Sequence, residues 1–284
     1  MTPHTPSTTP LQTHVFTAAA RDFGRHGQTF SPTTATLVTG QIEAVLIDAQ
    51  FVESEIAALG DMIEQTGKQL TSIYITHAHA DHYLGLGKLQ KRFPDAQPVT
   101  TSAVAAAITD TLDDQTKQWR AMFGDAVAEP TVLPSPLKGD AIDLEGQELR
   151  VIEVGQGDIA PSTVVHIPSI DTVVTGDVAY NRIHPMLALS GPEQWDAWIA
   201  SVDQIQSLHP KTVVAGHKAP DASDDEIAVI LNGTREYIRD FRDAVATRSS
   251  AEEVVDIIKG KYPDYGNLTT LLVSARAAFP QSPR

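Results

Sequence analysis

Residues 70–82 read LTSIYITHAHADH, a largely apolar run followed at once by a cluster of imidazoles and one carboxylate. The run over residues 70–75 is typical of a buried β-strand. Neutral imidazole and carboxylate are ligands that cations such as zinc prefer, and alternate side chains at the end of a strand can converge on one point. The segment therefore predicts a metal centre at a strand end. Its ligand candidates are His77, His79, Asp81 and His82.

The composition is that of an ordinary soluble globular protein, because 42% of the 284 residues are hydrophobic and 20% are charged. The formal net charge is −15 at pH 7, so the surface repels a phosphate backbone on average and nucleic acid is not an expected partner. The sequence contains no cysteine. Thiolate ligands and cysteine nucleophiles are thereby excluded, and histidine and carboxylate remain as the strong metal ligands.

The sequence begins MTPHTPSTTPLQTHVF, which is rich in threonine and proline and lacks the basic start and apolar run of a secretory signal. We expect residues 1–28 to form a flexible leader and residues 29–284 to form a single domain of a cytoplasmic protein. No apolar stretch reaches the roughly 20 residues that span a bilayer, so no membrane association is expected. The partners left open are a small-molecule substrate and a second copy of the chain.

Strands and helices alternate through the first half of the sequence. The β-prone runs over residues 33–38 and 44–47 have a separation that suits an antiparallel hairpin. Hydrophobic periodicity and proline positions predict helices over residues 53–66, 84–93 and 103–123, with a strand over residues 98–101.

The second half begins with strands and ends with helices. Strands are predicted over residues 143–144, 148–154, 163–167, 172–175 and 211–215. Pro192 is predicted to open an amphipathic helix with Trp195 and Trp198 on its apolar face. Two capping boxes, Ser223 with Glu226 and Ser250 with Glu253, predict two further helix starts.

The motif His-x-His-x-Asp-His after a hydrophobic strand resembles the signature of metallo-β-lactamase-fold hydrolases such as glyoxalase II and the acyl-homoserine lactonases. The resemblance extends to Asp48 at the end of the hairpin, to Thr175-Gly176-Asp177 and to Ala215-Gly216-His217. It implies an α/β fold, the αββα four-layer sandwich, with metals at one edge in loops that join strands.

The resemblance also implies a binuclear centre. His77 and His79 would hold one metal, Asp81, His82 and His217 a second, and Asp177 would bridge both. One departure concerns the third histidine of the first site, which should fall within residues 153–158, where this chain has Gln156. The first site is then weakened, completed by the nearby Asp158, or lost, so we expect the second site to fill first. The cofactor implied is zinc, one or two ions, with iron or manganese as alternatives.

The function implied is hydrolysis of an ester, lactone or related acyl bond by a metal-bound hydroxide. Two alternatives stay open: a phosphoester or β-lactam substrate, and a binding or regulatory relative without turnover. Asp81 and His184 are candidate catalytic residues, the latter because it follows Asp177 on a loop where this family contacts substrate. Asp48 is expected to accept a hydrogen bond from a ligand histidine. Tyr180 is open between packing and contact with substrate.

Overall fold

The computed structural model describes residues 9–23 and 28–279. The strands are β1 (Gln12–Thr17), β2 (Arg21–Phe23), β3 (Gln28–Phe30), β4 (Thr34–Thr39), β5 (Glu43–Ile47), β6 (Gln69–Tyr74), β7 (Gln97–Thr100), β8 (Ser135–Pro136), β9 (Ala141–Leu144), β10 (Gln147–Gly155), β11 (Ser162–Ile167), β12 (Thr172–Val174), β13 (Tyr180–Asn181), β14 (Thr212–Val214) and β15 (His217–Lys218). The α-helices are α1 (Glu53–Gln65), α2 (Ala80–Tyr83), α3 (Leu86–Arg92), α4 (Ser102–Phe123), α5 (Pro192–Ser207), α6 (Ile227–Thr247), α7 (Ala251–Lys261) and α8 (Leu268–Ala278).

The first large sheet has the strand order β1-β4-β5-β6-β7-β8. The predicted hairpin is β4 and β5, whose antiparallel register pairs Thr39 with Ala44. From β5 onward the strands run parallel, because helices connect them. Strand β6, which leads into the histidine cluster, lies inside the sheet between β5 and β7. This position explains why its sequence is largely apolar.

The second large sheet has the order β14-β12-β11-β10-β9. Its strands are antiparallel except for the parallel pair β12 and β14, which α5 connects in sequence. The register of β10 against β11 shifts between Glu153 and Gly155. This irregularity lies just before the segment in which the sequence placed a metal ligand.

Three apolar cores separate four layers and confirm the αββα sandwich. The middle core lies between the two sheets and includes Val45 and Tyr74 from the first sheet with Val165 from the second. One outer core packs α1, α3 and α4 on the first sheet. The other outer core packs α5 to α8 on the second sheet, and in it Trp198 of α5 is fully buried. Burial of a large apolar side chain contributes about 1.5–3 kcal/mol to folding, so these cores hold the strand ends in place.

The segment predicted to be a leader differs in the structure. Strand β1 pairs antiparallel with β4 along its whole length, from Gln12 to Thr17, and β2 pairs with β3. Leu11 is buried in the middle core. The reason is that β4 would otherwise be an edge strand, and β1 satisfies its free backbone groups. Residues 1–8 and 24–27 of the predicted leader lie outside the described residues.

The two predicted capping boxes have different outcomes. Ser250 caps α7 and accepts a hydrogen bond from the backbone nitrogen of Glu253 at 3.3 Å, as predicted. The box at Ser223 is wrong, because α6 begins at Ile227 and the Ser223 hydroxyl instead donates to Asp225. Among the described residues, no helix is both long enough and apolar enough to cross a membrane.

Candidate metal centre

Strand ends from both sheets bring the predicted ligand residues together. His77 and His79 follow β6, and the short helix α2 then carries Asp81 and His82. Two loops of the second sheet and the start of β15 bring in the rest, which are Asp158, Asp177 and His217. The side chains of Asp81, His82, Asp158 and Asp177 are at most 2% exposed.

The first group contains His77, His79, Asp158 and Asp177, whose ligand atoms all lie within 4.8 Å of one another. His79 Nδ1 lies 2.8 Å from Asp158 Oδ2. Both His77 Nε2 and His79 Nδ1 lie 3.7 Å from Asp177 Oδ2. Two imidazoles and two carboxylates thus face a common point.

The second group contains Asp81, His82 and His217. Asp81 Oδ2 lies 3.5 Å from His82 Nε2 and 3.4 Å from His217 Nε2. Asp177 also reaches this group, because its Oδ1 is 3.2 Å from His82 Nε2 and its Oδ2 is 3.2 Å from His217 Nε2. Asp177 therefore lies between the two groups, where a bridging carboxylate is expected.

Four buried polar atoms have no hydrogen-bond partner outside this cluster, although some lie close to one another within it: His77 Nε2, His82 Nε2, Asp158 Oδ2 and Asp177 Oδ1. A buried polar atom without a partner costs about 1–3 kcal/mol, so a fold seldom gathers several at one point without a ligand for them. Imidazole nitrogens and carboxylate oxygens are the donors that divalent transition metals take. The residues present therefore fit a divalent metal centre.

Asp48 and Thr76 orient two of the imidazoles. His82 Nδ1 lies 2.8 Å from Asp48 Oδ2, which confirms the predicted hydrogen bond from a ligand histidine. The hydroxyl of Thr76 donates to Asp48 and lies 2.9 Å from His77 Nδ1. A hydroxyl that donates to Asp48 can also accept a hydrogen bond from His77 Nδ1. In the tautomer with the proton on Nδ1, His77 Nε2 carries the lone pair that can bind a cation.

The loop before β4 orients the second group. His217 Nδ1 lies 3.2 Å from the carbonyl oxygen of Pro32 and 3.0 Å from the hydroxyl of Ser31. A carbonyl only accepts, so Nδ1 carries the proton and Nε2 faces the cluster. Thr33 donates its hydroxyl proton to Asp81 Oδ2 at 2.9 Å. The sequence pointed to none of these partners, because no local pattern links the loop at residues 31–33 to residues 81 and 217.

Two glycines let the loops approach closely. Gly216 has no room for a side chain, because a Cβ atom there would collide with Asp177 Oδ1 and with the backbone of Gly176. Gly176 has a φ of 48°, a conformation that other residues rarely adopt. These contacts explain why glycine precedes both Asp177 and His217 in the sequence.

Charges within the cluster shift the pKa values of its histidines. Burial by itself would lower the pKa of His82, but the carboxylates of Asp81, Asp177 and Asp48 raise it well above its usual range. Burial would also lower the pKa values of His79 and His217. Carboxylates nevertheless raise both, chiefly Asp158 for His79 and Asp177 for His217. A cation that bound to these nitrogens would compete with protons for them.

The carboxylate of Asp177 shows the complementary effect. Burial by itself would raise its pKa, but His217 and His82 hold it well below the usual range. The hydroxyl of Tyr180 donates to Asp177 Oδ2 at 3.1 Å, and its ring stacks on that of His217 with centroids 5.5 Å apart. Tyr180, which the sequence left open between packing and substrate contact, thus contacts both the shared carboxylate and a ligand histidine.

Asp158, which the sequence offered as the residue that could complete the first site beside Gln156, lies in the first group. The side chain of Gln156 is half-buried and donates to the carbonyl of Gly157. The register shift after Glu153 and the φ of 89° at Gly155 redirect the chain beyond β10. Sequence spacing cannot show this turn, although an acidic residue two positions further on was a signal that it could be the ligand.

His184 lies in different surroundings from those predicted for a catalytic residue. Its Nδ1 lies 2.9 Å from the hydroxyl of Tyr237, and its ring packs against Tyr237 and Tyr265. Burial lowers its pKa to about 4. Its described contacts join it to the C-terminal helices and not to the metal cluster, so the geometry gives no support to the catalytic role.

Aromatic side chains line one side of the second group. The ring of Phe30 lies 5.8 Å from that of His217, centroid to centroid. Phe30 in turn contacts the rings of Phe51, Trp119 and Phe123. The surroundings of the cluster are therefore apolar on the side of β3 and α4.

Comparison with known proteins agrees with this geometry. The sequence profile of the metallo-beta-lactamase superfamily matches residues 28–217. None of the curated proteins matches the chain. A metallo-beta-lactamase family protein from Thermus thermophilus superimposes with a TM-score of 0.63 at 16% identity, covering 93% of each chain. A metallo-beta-lactamase from Pontibacter korlensis gives a TM-score of 0.57 at 20% identity, covering 83% of this chain and 97% of its own. The DIM-1 metallo-beta-lactamase gives a TM-score of 0.59 at 18% identity, covering 83% of this chain and 98% of its own.

Proposed function

Because this chain belongs to the metallo-beta-lactamase superfamily, we propose that it is a metal-dependent hydrolase that cleaves an ester, lactone or related acyl bond. The observation that carries the proposal is the buried convergence of four imidazoles and three carboxylates in two adjoining groups. Divalent cations bound there would lower the pKa of a water molecule towards neutrality and polarise a substrate carbonyl.

The chain's own residues supply position and shape. His77, His79 and Asp158 would hold one cation, Asp81, His82 and His217 the other, and Asp177 would serve both. Hydrogen bonds from Thr33 to Asp81 and from Tyr180 to Asp177 limit the motion of these carboxylates. A rigid ligand set keeps the reacting groups aligned without a reorganisation cost during the reaction.

The charges around the cluster favour a carbonyl substrate over a phosphoester. No lysine or arginine of the described residues forms an ion pair with the cluster. Lys218, next to His217 in sequence, is engaged with Asp224 at 2.7 Å, and Arg182 pairs with Glu226. The charge of a phosphoester would therefore have to be offset by the cations alone, without help from a basic side chain.

The aromatic side chains near His217 suit the apolar part of an acyl substrate. Phe30 and Phe123 are each half-buried. Apolar walls with a few polar groups at one end are typical of small-molecule sites. We therefore expect esters or lactones with an apolar group to be better substrates than small polar ones.

The test is a hydrolysis assay of zinc-loaded and manganese-loaded protein on nitrophenyl esters, aliphatic lactones, a β-lactam and a phosphodiester. We expect turnover of esters or lactones that stops on chelation and returns when metal is added. The His166→Gln variant is a suitable control, because His166 in β11 has no described contact with the cluster. Full turnover by protein shown to be metal-free, or cleavage of the phosphodiester alone, would contradict the proposal.

A further inference from the structure

The two halves of the metal cluster contain the same donors. The first has two imidazoles, from His77 and His79, and the carboxylate of Asp158. The second has two imidazoles, from His82 and His217, and the carboxylate of Asp81. Asp177 contacts both halves. The family pattern would have three imidazoles in the first half. The two halves therefore have equal donor sets only because Asp158 is present.

The local structure presents one oxygen of Asp158 to the cluster. Asp158 is 0% exposed, and its Oδ1 accepts a hydrogen bond from the backbone nitrogen of Ile159 at 2.7 Å. Its Oδ2 pairs within the cluster, 2.8 Å from His79 Nδ1. One oxygen therefore bonds to the backbone, while the other faces the imidazole of His79 inside the cluster, where it can serve as a ligand.

We propose that Asp158 gives the first metal position the same set of donor groups as the second. With aspartate there, the first position discriminates less between zinc and harder cations such as manganese than it would with histidine. The proposal rests on the metal centre of the proposed function but does not require that the protein hydrolyse anything. Carboxylate oxygen suits manganese and other hard cations, whereas imidazole favours zinc. Exchanging one imidazole for a carboxylate therefore reduces the preference of that position for zinc over manganese.

The carboxylate also affects the binding of two cations together. Three carboxylates offset more of the charge of two divalent ions than two carboxylates would, and the cluster is buried, where charges interact strongly. With Asp158 in place, the second cation to enter meets less uncompensated positive charge. With Gln156 as the ligand we expected the second position to fill before the first. With Asp158 as the ligand we expect both positions to bind metal over a similar concentration range.

The experiment compares the native chain with Asp158→His and Gln156→His. Each is stripped of metal and titrated with zinc, with manganese and with their mixture, and bound metal is measured by elemental analysis and by manganese electron paramagnetic resonance. In Asp158→His we expect the zinc-over-manganese preference to rise by about tenfold or more, the scale of effects known even for residues behind the ligands. We also expect its first and second zinc ions to bind over more widely separated concentrations than in the native chain. Gln156→His should behave as the native chain does.

Two results would overturn the proposal: an unchanged preference in Asp158→His, or a shift in Gln156→His instead. If Asp158→His does not fold, as judged by circular dichroism, Asp158→Asn serves as the second variant. It keeps the shape of the side chain and should reduce bound manganese by one ion per chain, and unchanged manganese content in that variant would also overturn the proposal. A chain that shows the expected metal behaviour but hydrolyses none of the assay substrates would contradict the proposed function and leave this inference intact.

Discussion

Buried histidines occur in two regions of this protein, and their surroundings differ. In the metal cluster His82 is fully buried, its Nε2 has no hydrogen-bond partner, and nearby carboxylates raise its pKa. Against the C-terminal helices His184 is 2% exposed, bonds to the hydroxyl of Tyr237, and has a lowered pKa. Burial of a histidine is therefore not itself a sign of a site. What distinguishes the metal cluster is the convergence of carboxylates and unpaired ligand atoms on one point.

The largest expected effect follows from removing ligands of one cation. In the double variant His82→Ala and His217→Ala, binding at the second position should be abolished and hydrolysis should fall by more than about 100-fold, since loss of supporting residues alone costs 10- to 100-fold. Elemental analysis and the ester assay measure both effects. The matched variant His184→Gln should keep its full metal content. Equal metal content in all three proteins would contradict the ligand assignment.

Substitution of a glycine by alanine should also have different effects in the metal cluster and in the C-terminal helices. Gly216→Ala places a Cβ against Asp177 and Gly176, so we expect loss of metal binding and a loss of stability of several kcal/mol. Gly260→Ala in α7 is the control, because a Cβ there meets nothing within 4 Å. It should raise stability by up to about 1 kcal/mol. Thermal unfolding and metal content would measure the difference, and equal effects of the two changes would show that the close approach at Gly216 does not matter.

The pH dependence of stability tests the histidine in the C-terminal region. Burial lowers the pKa of His184 to about 4, below its ordinary value of 6.5, so the unfolded chain binds this proton more readily. Its neutral form is fully compatible with folding above about pH 6.5, and stability is lost as the pH falls from there towards 4. Between pH 7 and pH 4.5 the loss from this group is on the order of 2–3 kcal/mol.

The variant His184→Gln removes this titration while keeping a group that can bond to Tyr237. It should lose less stability than the native chain over the same pH interval, measured by urea unfolding of metal-free protein. An identical loss in both proteins would show that His184 is not neutral in the folded state.

The smallest expected effect concerns the helix starts of the C-terminal region. Ser250→Ala should lower the free energy of unfolding by about 1 kcal/mol, because Ser250 caps α7. Ser223→Ala should have little effect on α6, because that helix begins later at Ile227. A larger loss for Ser223→Ala than for Ser250→Ala, in urea unfolding, would reverse this interpretation.

The sequence predicted most elements of the fold because their signals are local. The hairpin of β4 and β5, the strand before the histidine motif and helix α4 each depend on periodicity or turn residues within a short window. Strand β1 was missed because it follows a segment rich in threonine and proline, and only its pairing with β4 shows that it belongs to the sheet. The box at Ser223 failed for a similar reason, since a capping pattern does not ensure that the helix begins there.

The residues of the metal centre also fall into those that the sequence indicated and those that only the tertiary structure placed there. The sequence by itself determined the candidate ligands His77, His79, Asp81 and His82, because such a cluster within a few residues after a buried strand can be recognised without knowledge of the rest of the chain. Only the tertiary structure placed Asp158 beside His79 and the side chain of Gln156 against the carbonyl of Gly157, because a register shift and a turn with positive φ separate that segment from regular strand geometry. It also brought Ser31 and Thr33 behind ligands that lie far away in sequence. Such contacts arise because the tertiary fold brings distant loops together at the strand ends, and no local residue pattern encodes them.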